Sequence, residues 1–167
     1  GATDIVIDCQ PDLEGNILSK PLSKTGQIVF FRLMQRPNTV VETLRCRGFT
    51  MHGHGYSEMI RVIARWPPNL TNLDLRGMQI DKKGSEGIRD AIFKYGAALK
   101  TLVTFCEVPH KQLRERDPEL RELFLSKRFI CYHGGLLLAK HISSNMCPIL
   151  ELDLTSNRLG THGAEIR

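Results

Sequence analysis

The chain has 167 residues, 41% of them apolar and 25% charged, with a formal net charge of +5, totals that suit one globular domain with a real core. No apolar run approaches the roughly 18 residues of a membrane span, and GATDIVIDCQ carries acids where a secretory leader would carry a basic cluster. Five scattered cysteines (Cys9, Cys46, Cys106, Cys131 and Cys147) include no CxxC pair, and 18 acidic residues dilute 23 basic ones. A disulfide framework, a zinc ribbon and a nucleic-acid partner are therefore not expected, whereas an intracellular, cytoplasmic setting is.

In chain order, DIVIDCQ alternates like a strand and TGQIVFFRLMQ predicts a helix with one apolar face, joined by PDLEGNILSKPLSK. Residues 1–40 are expected to form a longer, irregular first unit that caps the regular copies. From residue 41 one pattern recurs. VETLRCRGFTM (41–51), LTNLDLRGMQI (70–80), LRELFLSKRFI (120–130) and ILELDLTSNRL (149–159) share an apolar-x-x-Leu-x-apolar frame, and LKTLVTFCEVP (99–109) holds it only through Leu99 and Leu102. The copies start at 41, 70, 99, 120 and 149, so every step is equal except the short one from 99 to 120.

Each copy is followed by a second half: HGHGYSEMIRVIARW, DKKGSEGIRDAIFKY, CYHGGLLLAKHISSN and GTHGAEIR. Gly55, Gly84, Gly134 and Gly163 share a column, which suits a turn needing positive φ or a close backbone approach. Met59 with Ile63, and Ile88 with Ile92, recur at helical spacing, and Ser57 and Ser85 stand near the predicted helix starts, where a hydroxyl can cap. The charged, proline-bearing CEVPHKQLRERDPE (106–119) breaks the period, either as a shortened coil or as an insertion with a short helix from Lys111 to Arg116. The chain stops at HGAEIR inside a copy, as expected of a fragment of a longer protein.

These copies resemble the leucine-rich repeat, L-x-x-L-x-L-x-x-N/C-x-L. The long period and the glycine-led second half look most like its ribonuclease-inhibitor type. The resemblance implies an α/β fold: a curved solenoid over 41–167, with repeats starting near 41, 70, 99 (irregular), 120 and 149 (truncated). Parallel strands would line the concave face and helices the convex one.

MHGHGYSEM (51–59) suggests a metal site through His52 and His54. The repeat answers otherwise: His54 shares its column with Lys83, His133 and His162, and His52 with Asp81, Cys131 and Gly160. A column that accepts lysine is a loop position rather than a ligand position. No metal and no other cofactor is expected.

In the implied architecture the residues between the core leucines face the concave solvent. They give a basic corner of Arg45, Arg47 and Arg76 with Asp74 available as a partner, two side-by-side rings from Phe105 and Phe124, and Asp153 further along. Arginine and aromatic residues dominate protein-interface energy. No nucleophile elbow, phosphate loop or HExxH motif is present, and Cys131 and His133 are near each other only in sequence, so no catalytic residue is assigned. The resemblance implies a non-catalytic protein–protein interaction module, a scaffold, sensor or regulator binding an unidentified protein partner on its concave face. The other reading is a GTPase-activating protein like the one for Ran, although of that family's repeat asparagines only Asn157 stands in place here, against Phe49, Met78 and Arg128.

Overall fold

The computed structural model describes residues 3–9, 20–96, 99–143 and 147–159; Gly160, His162 and Gly163 of the final copy lie outside them. Strand and helix alternate throughout: β1 (Asp4–Asp8), α1 (Lys24–Met34), β2 (Thr43–Arg47), α2 (Gly53–Ala64), β3 (Asn72–Asp74), α3 (Lys82–Lys94), β4 (Thr104–Phe105), α4 (His110–Glu115), β5 (Glu122–Phe124), α5 (Tyr132–Ile142) and β6 (Glu151–Asp153). The fold is mixed α/β, and every pairing between these strands is parallel, with β1-β2-β3-β4 in one sheet and β5-β6 in another.

Alternation along β2 explains the layering. Leu44 and Cys46 are fully buried, while Thr43, Arg45 and Arg47 are half-exposed on the opposite face, the two-residue period of a strand with one covered side. Leu44 pairs with Leu73, and Leu123 with Leu152, each across one full period of the sequence pattern. The turns after these strands recur at the same spacing. Gly48 and Gly77, then Lys127 and Ser156, adopt positive φ of 76°, 76°, 56° and 58°. The Gly48 N–H bonds the Gly77 carbonyl, and the Lys127 N–H bonds the Thr155 carbonyl. Glycine makes this left-handed turn without strain; lysine and serine hold it only because the flanking strands are paired.

The column glycines serve a different purpose. Gly55, Gly84 and Gly134 lie in the first turns of α2, α3 and α5 without positive φ. A Cβ on Gly84 would meet Ile80 Cγ2 at 2.9 Å, and one on Gly134 would meet Cys106 Cβ at 3.2 Å. At Gly55 it would strike Gln27, whose buried amide donates to the Leu22 and Thr50 carbonyls and accepts from the His52 N–H. Close approach, not turn geometry, is the reason for glycine there. The serines do not cap: Ser57 Oγ bonds back to the Gly53 carbonyl and Ser85 Oγ has no partner, whereas Ser23 and Asp81 cap α1 and α3.

The third copy departs from the expected register. Leu73 pairs with Phe105 rather than with Leu102. Three extra residues are taken up before β4 by turns closing Leu99 onto Gly96 and Leu102 onto Leu99, with Thr101 Oγ1 donating to the Leu70 carbonyl. An odd slip exchanges the two faces of a strand. Phe105 therefore enters the core, fully buried, instead of facing solvent beside Phe124.

Directly after β4 the chain reverses. Cys106 and Glu107 adopt φ of 50° and 68°, and Phe105 and Val108 exchange both backbone hydrogen bonds, the pattern of a two-residue hairpin turn. This ends the four-stranded sheet. Within 106–119, α4 begins one residue before the short helix expected of an insertion, and α3 packs directly on α5, as α1 packs on α2 and α2 on α3. The main core runs from Cys9 and Phe31 to Phe105, Cys106 and Leu137, and a second gathers Leu113, Leu123, Leu125, Ile130 and Leu138. Adjacent leucines of α5 thus join the two.

Candidate functional site

The strand face opposite the helices carries a charge network centred on Asp74. Its Oδ2 receives Arg47 Nη2 at 2.8 Å and Arg76 Nη2 at 2.9 Å, and its Oδ1 receives Arg76 Nε at 2.9 Å and the Arg76 N–H at 3.0 Å. Arg45 Nε lies 3.3 Å from Oδ2, an ionic contact without hydrogen-bond geometry. Arg76 further reaches Glu107 Oε1 at 2.9 Å and the Arg128 carbonyl, and Arg47 lies 4.0 Å from Asp8. Burial alone would raise the Asp74 carboxyl; the hydrogen bonds from Arg76 and Arg47 outweigh it and lower it to about 2.

The expected basic corner is therefore charge-balanced, three guanidiniums against Asp8, Asp74 and Glu107. Asp74 is the hub rather than a spare partner, and Asp74 and Arg76 are buried rather than facing solvent, at 7% and 8% exposure. They are buried because one carboxylate shared by three arginines leaves little room for water. Arg45 keeps a side chain 39% exposed. Phe124 is 54% exposed on β5, opposite Asp153, whose carboxylate accepts the Thr155 N–H at 2.8 Å. The structure thus brings together Arg45, Arg47, Asp74 and Arg76 on one sheet and Phe124 with Asp153 on the other, and removes Phe105 to the core.

A second constellation was not legible in the repeat columns. Cys131, the residue before α5, has its Sγ 2.7 Å from His133 Nε2, so the two are together in space as well as in sequence. His133 Nε2 is also 2.9 Å from the Leu75 carbonyl. A carbonyl only accepts, so Nε2 carries a proton and presents the same N–H to the sulfur. The hairpin turn after β4 delivers Cys106, whose Sγ accepts the Leu75 N–H at 3.3 Å and lies within 4.8 Å of Cys131 Sγ and of a ring nitrogen of His133. Among the described residues these are the one trio of histidine, cysteine or carboxylate groups gathered so closely. A metal ion bound at Nε2 would have to replace the hydrogen bond that this nitrogen makes to the Leu75 carbonyl. His52 and His54 have no part in the trio: His52 caps α2 through its backbone and His54 is exposed on its first turn.

Cys131 lines a cleft of about 360 Å³ with Arg47, Arg76, Met78, Phe129 and Arg158. Arg158 lies over the Phe129 ring at 5.5 Å. The neighbouring Cys106 and then His133 hold the Cys131 thiol well below the usual thiol range. Burial, followed by the neighbouring sulfur, pushes Cys106 well above it. The start of a helix adds its positive end to the same effect on Cys131. The only hint in the sequence was Cys-x-His at 131–133; Cys106, far earlier in the chain, arrives through the hairpin. Neither a protein-family model nor a curated protein matches this sequence.

Proposed function

We propose that the chain is a leucine-rich-repeat solenoid of the ribonuclease-inhibitor type that serves as a protein–protein interaction module. The recurring register of Leu44 with Leu73 and of Leu123 with Leu152 supports the repeat reading, as do the turns recurring at that spacing. Asn157 supports it further, because its amide donates to the Leu125 and Leu154 carbonyls while accepting the Ile130 N–H. An asparagine so placed ties one turn of a repeat to its neighbour.

Binding is assigned to the strand face, and one observation carries that assignment. The Asp74 network holds Arg45 and Arg47 in place before any partner arrives, in a molecule that also exposes Phe124 on its other sheet. Fixed arginines lose little freedom on binding, and arginine and aromatic side chains supply much of the energy of protein interfaces. The five free cysteines favour an intracellular partner. No described helix is long and apolar enough to cross a membrane.

The test is a pull-down from a eukaryotic lysate with three baits: the native chain, Arg45→Glu/Phe124→Ser, and Lys83→Glu on exposed α3 as the control. A partner held by the native and control baits and lost by the double variant supports strand-face binding. Equal recovery by all three removes it.

A further inference from the structure

We infer that Cys131 and Cys106 form a peroxide-reactive dithiol, in which Cys131 is oxidised first and Cys106 closes an intramolecular disulfide onto it. Exposure sets the order. Cys131 lines the cleft, whereas Cys106 is fully buried behind it. Their sulfurs lie within 4.8 Å, so reaching the roughly 2 Å of a disulfide needs side-chain rotation and a small adjustment of the turn. Activation comes from geometry. The His133 N–H stands 2.7 Å from Cys131 Sγ at the positive start of α5, and Arg158 lines the same cleft, where Arg47 and Arg76 are already balanced by Asp74 and Glu107. Positive charge around a partly accessible sulfur is the setting in which thiolates persist and react. The depressed Cys131 thiol agrees with this arrangement.

The chemistry balances with a hydroperoxide as oxidant. The Cys131 thiolate attacks the terminal peroxide oxygen; the O–O bond breaks, an S–O bond forms, and the sulfur loses two electrons to the peroxide. The product is Cys131 sulfenic acid, with the remaining oxygen leaving as alkoxide, or hydroxide from hydrogen peroxide, and taking a proton from water. The Cys106 sulfur then attacks the sulfenic sulfur. The S–S bond forms, the S–O bond breaks, and the hydroxyl leaves as water with the Cys106 proton. A small-molecule dithiol reverses the product by exchange. The bridge would clip the turn that ends the four-stranded sheet to the start of α5, one residue from the Glu107 that holds Arg76.

The experiment treats the native chain with equimolar hydrogen peroxide and maps it after trypsin. The expected product has lost two hydrogens and joins peptides 101–111 and 129–140, which carry Cys106 and Cys131. With Cys106→Ser, folded by circular dichroism, dimedone should add at Cys131. On the untreated native chain, iodoacetamide at pH 6 should label Cys131 about tenfold faster than Cys147. Labelling of Cys131 no faster than Cys147 overturns the inference, as does an oxidised chain without the 106–131 link. Stoichiometric zinc on the purified native chain, released only when these cysteines are alkylated, also overturns it in favour of a metal centre.

Discussion

Phe105 and Phe124 share a residue type and an expected role, and the register of one strand separates them. Phe105 is fully buried beside Leu73, while Phe124 is 54% exposed. Phe105→Ala should lower unfolding free energy by about 3–5 kcal/mol through transfer and cavity terms. Phe124→Ala should change it by less than about 0.5 kcal/mol. Urea titrations of the two variants check this, and equal midpoints would refute the register. Asp74 makes a second prediction. Asp74→Asn keeps the shape but leaves Arg45, Arg47 and Arg76 without their shared charge, which should cost about 3 kcal/mol. If the urea midpoint stayed at its native value, Asp74 would not be the hub of that network.

Between elements, the contact of α3, α4 and α5 holds a buried imidazole pair. His110 Nδ1 lies 3.1 Å from His141 Nε2, and Phe93 of α3 stacks 4.8 Å from the His141 ring. Burial, then His141 and Arg114, lowers the His110 imidazole to about 3; burial, then Arg114, lowers that of His141 to about 4. In the unfolded chain both titrate near 6.5. Below that pH the unfolded state binds more protons, so their contribution is complete above about pH 6.5 and is lost as pH falls towards 4. Stability should drop by on the order of 2 kcal/mol per histidine between pH 7 and pH 5. Asp74, lowered from 3.8 to about 2, adds its loss only at lower pH. Denaturant midpoints across this range, with His110→Gln flattening the slope, are the measurement; a midpoint constant from pH 7 to pH 5 would count against the buried pair.

For the whole molecule, much of the architecture could be read without coordinates. The recurring leucines located β2, β3, β5 and β6, and apolar residues one helical turn apart located α2 and α3, because burial of one face of a strand or helix leaves its period in the chain. The column glycines were visible too, though not their reason, since Gln27 against Gly55 and Cys106 against Gly134 are contacts between distant segments. Three things were decided only in three dimensions. The odd slip before β4 sent Phe105 inward, because pairing with Leu73 depends on how turns absorb the extra residues. The reversal at Cys106 and Glu107 ended one sheet and set α5 against α3. That same reversal placed Cys106 beside Cys131 and His133, and Glu107 beside Arg76. Periodicity records which face of each element is covered; proximity between distant segments depends on the path between elements, and no spacing records it.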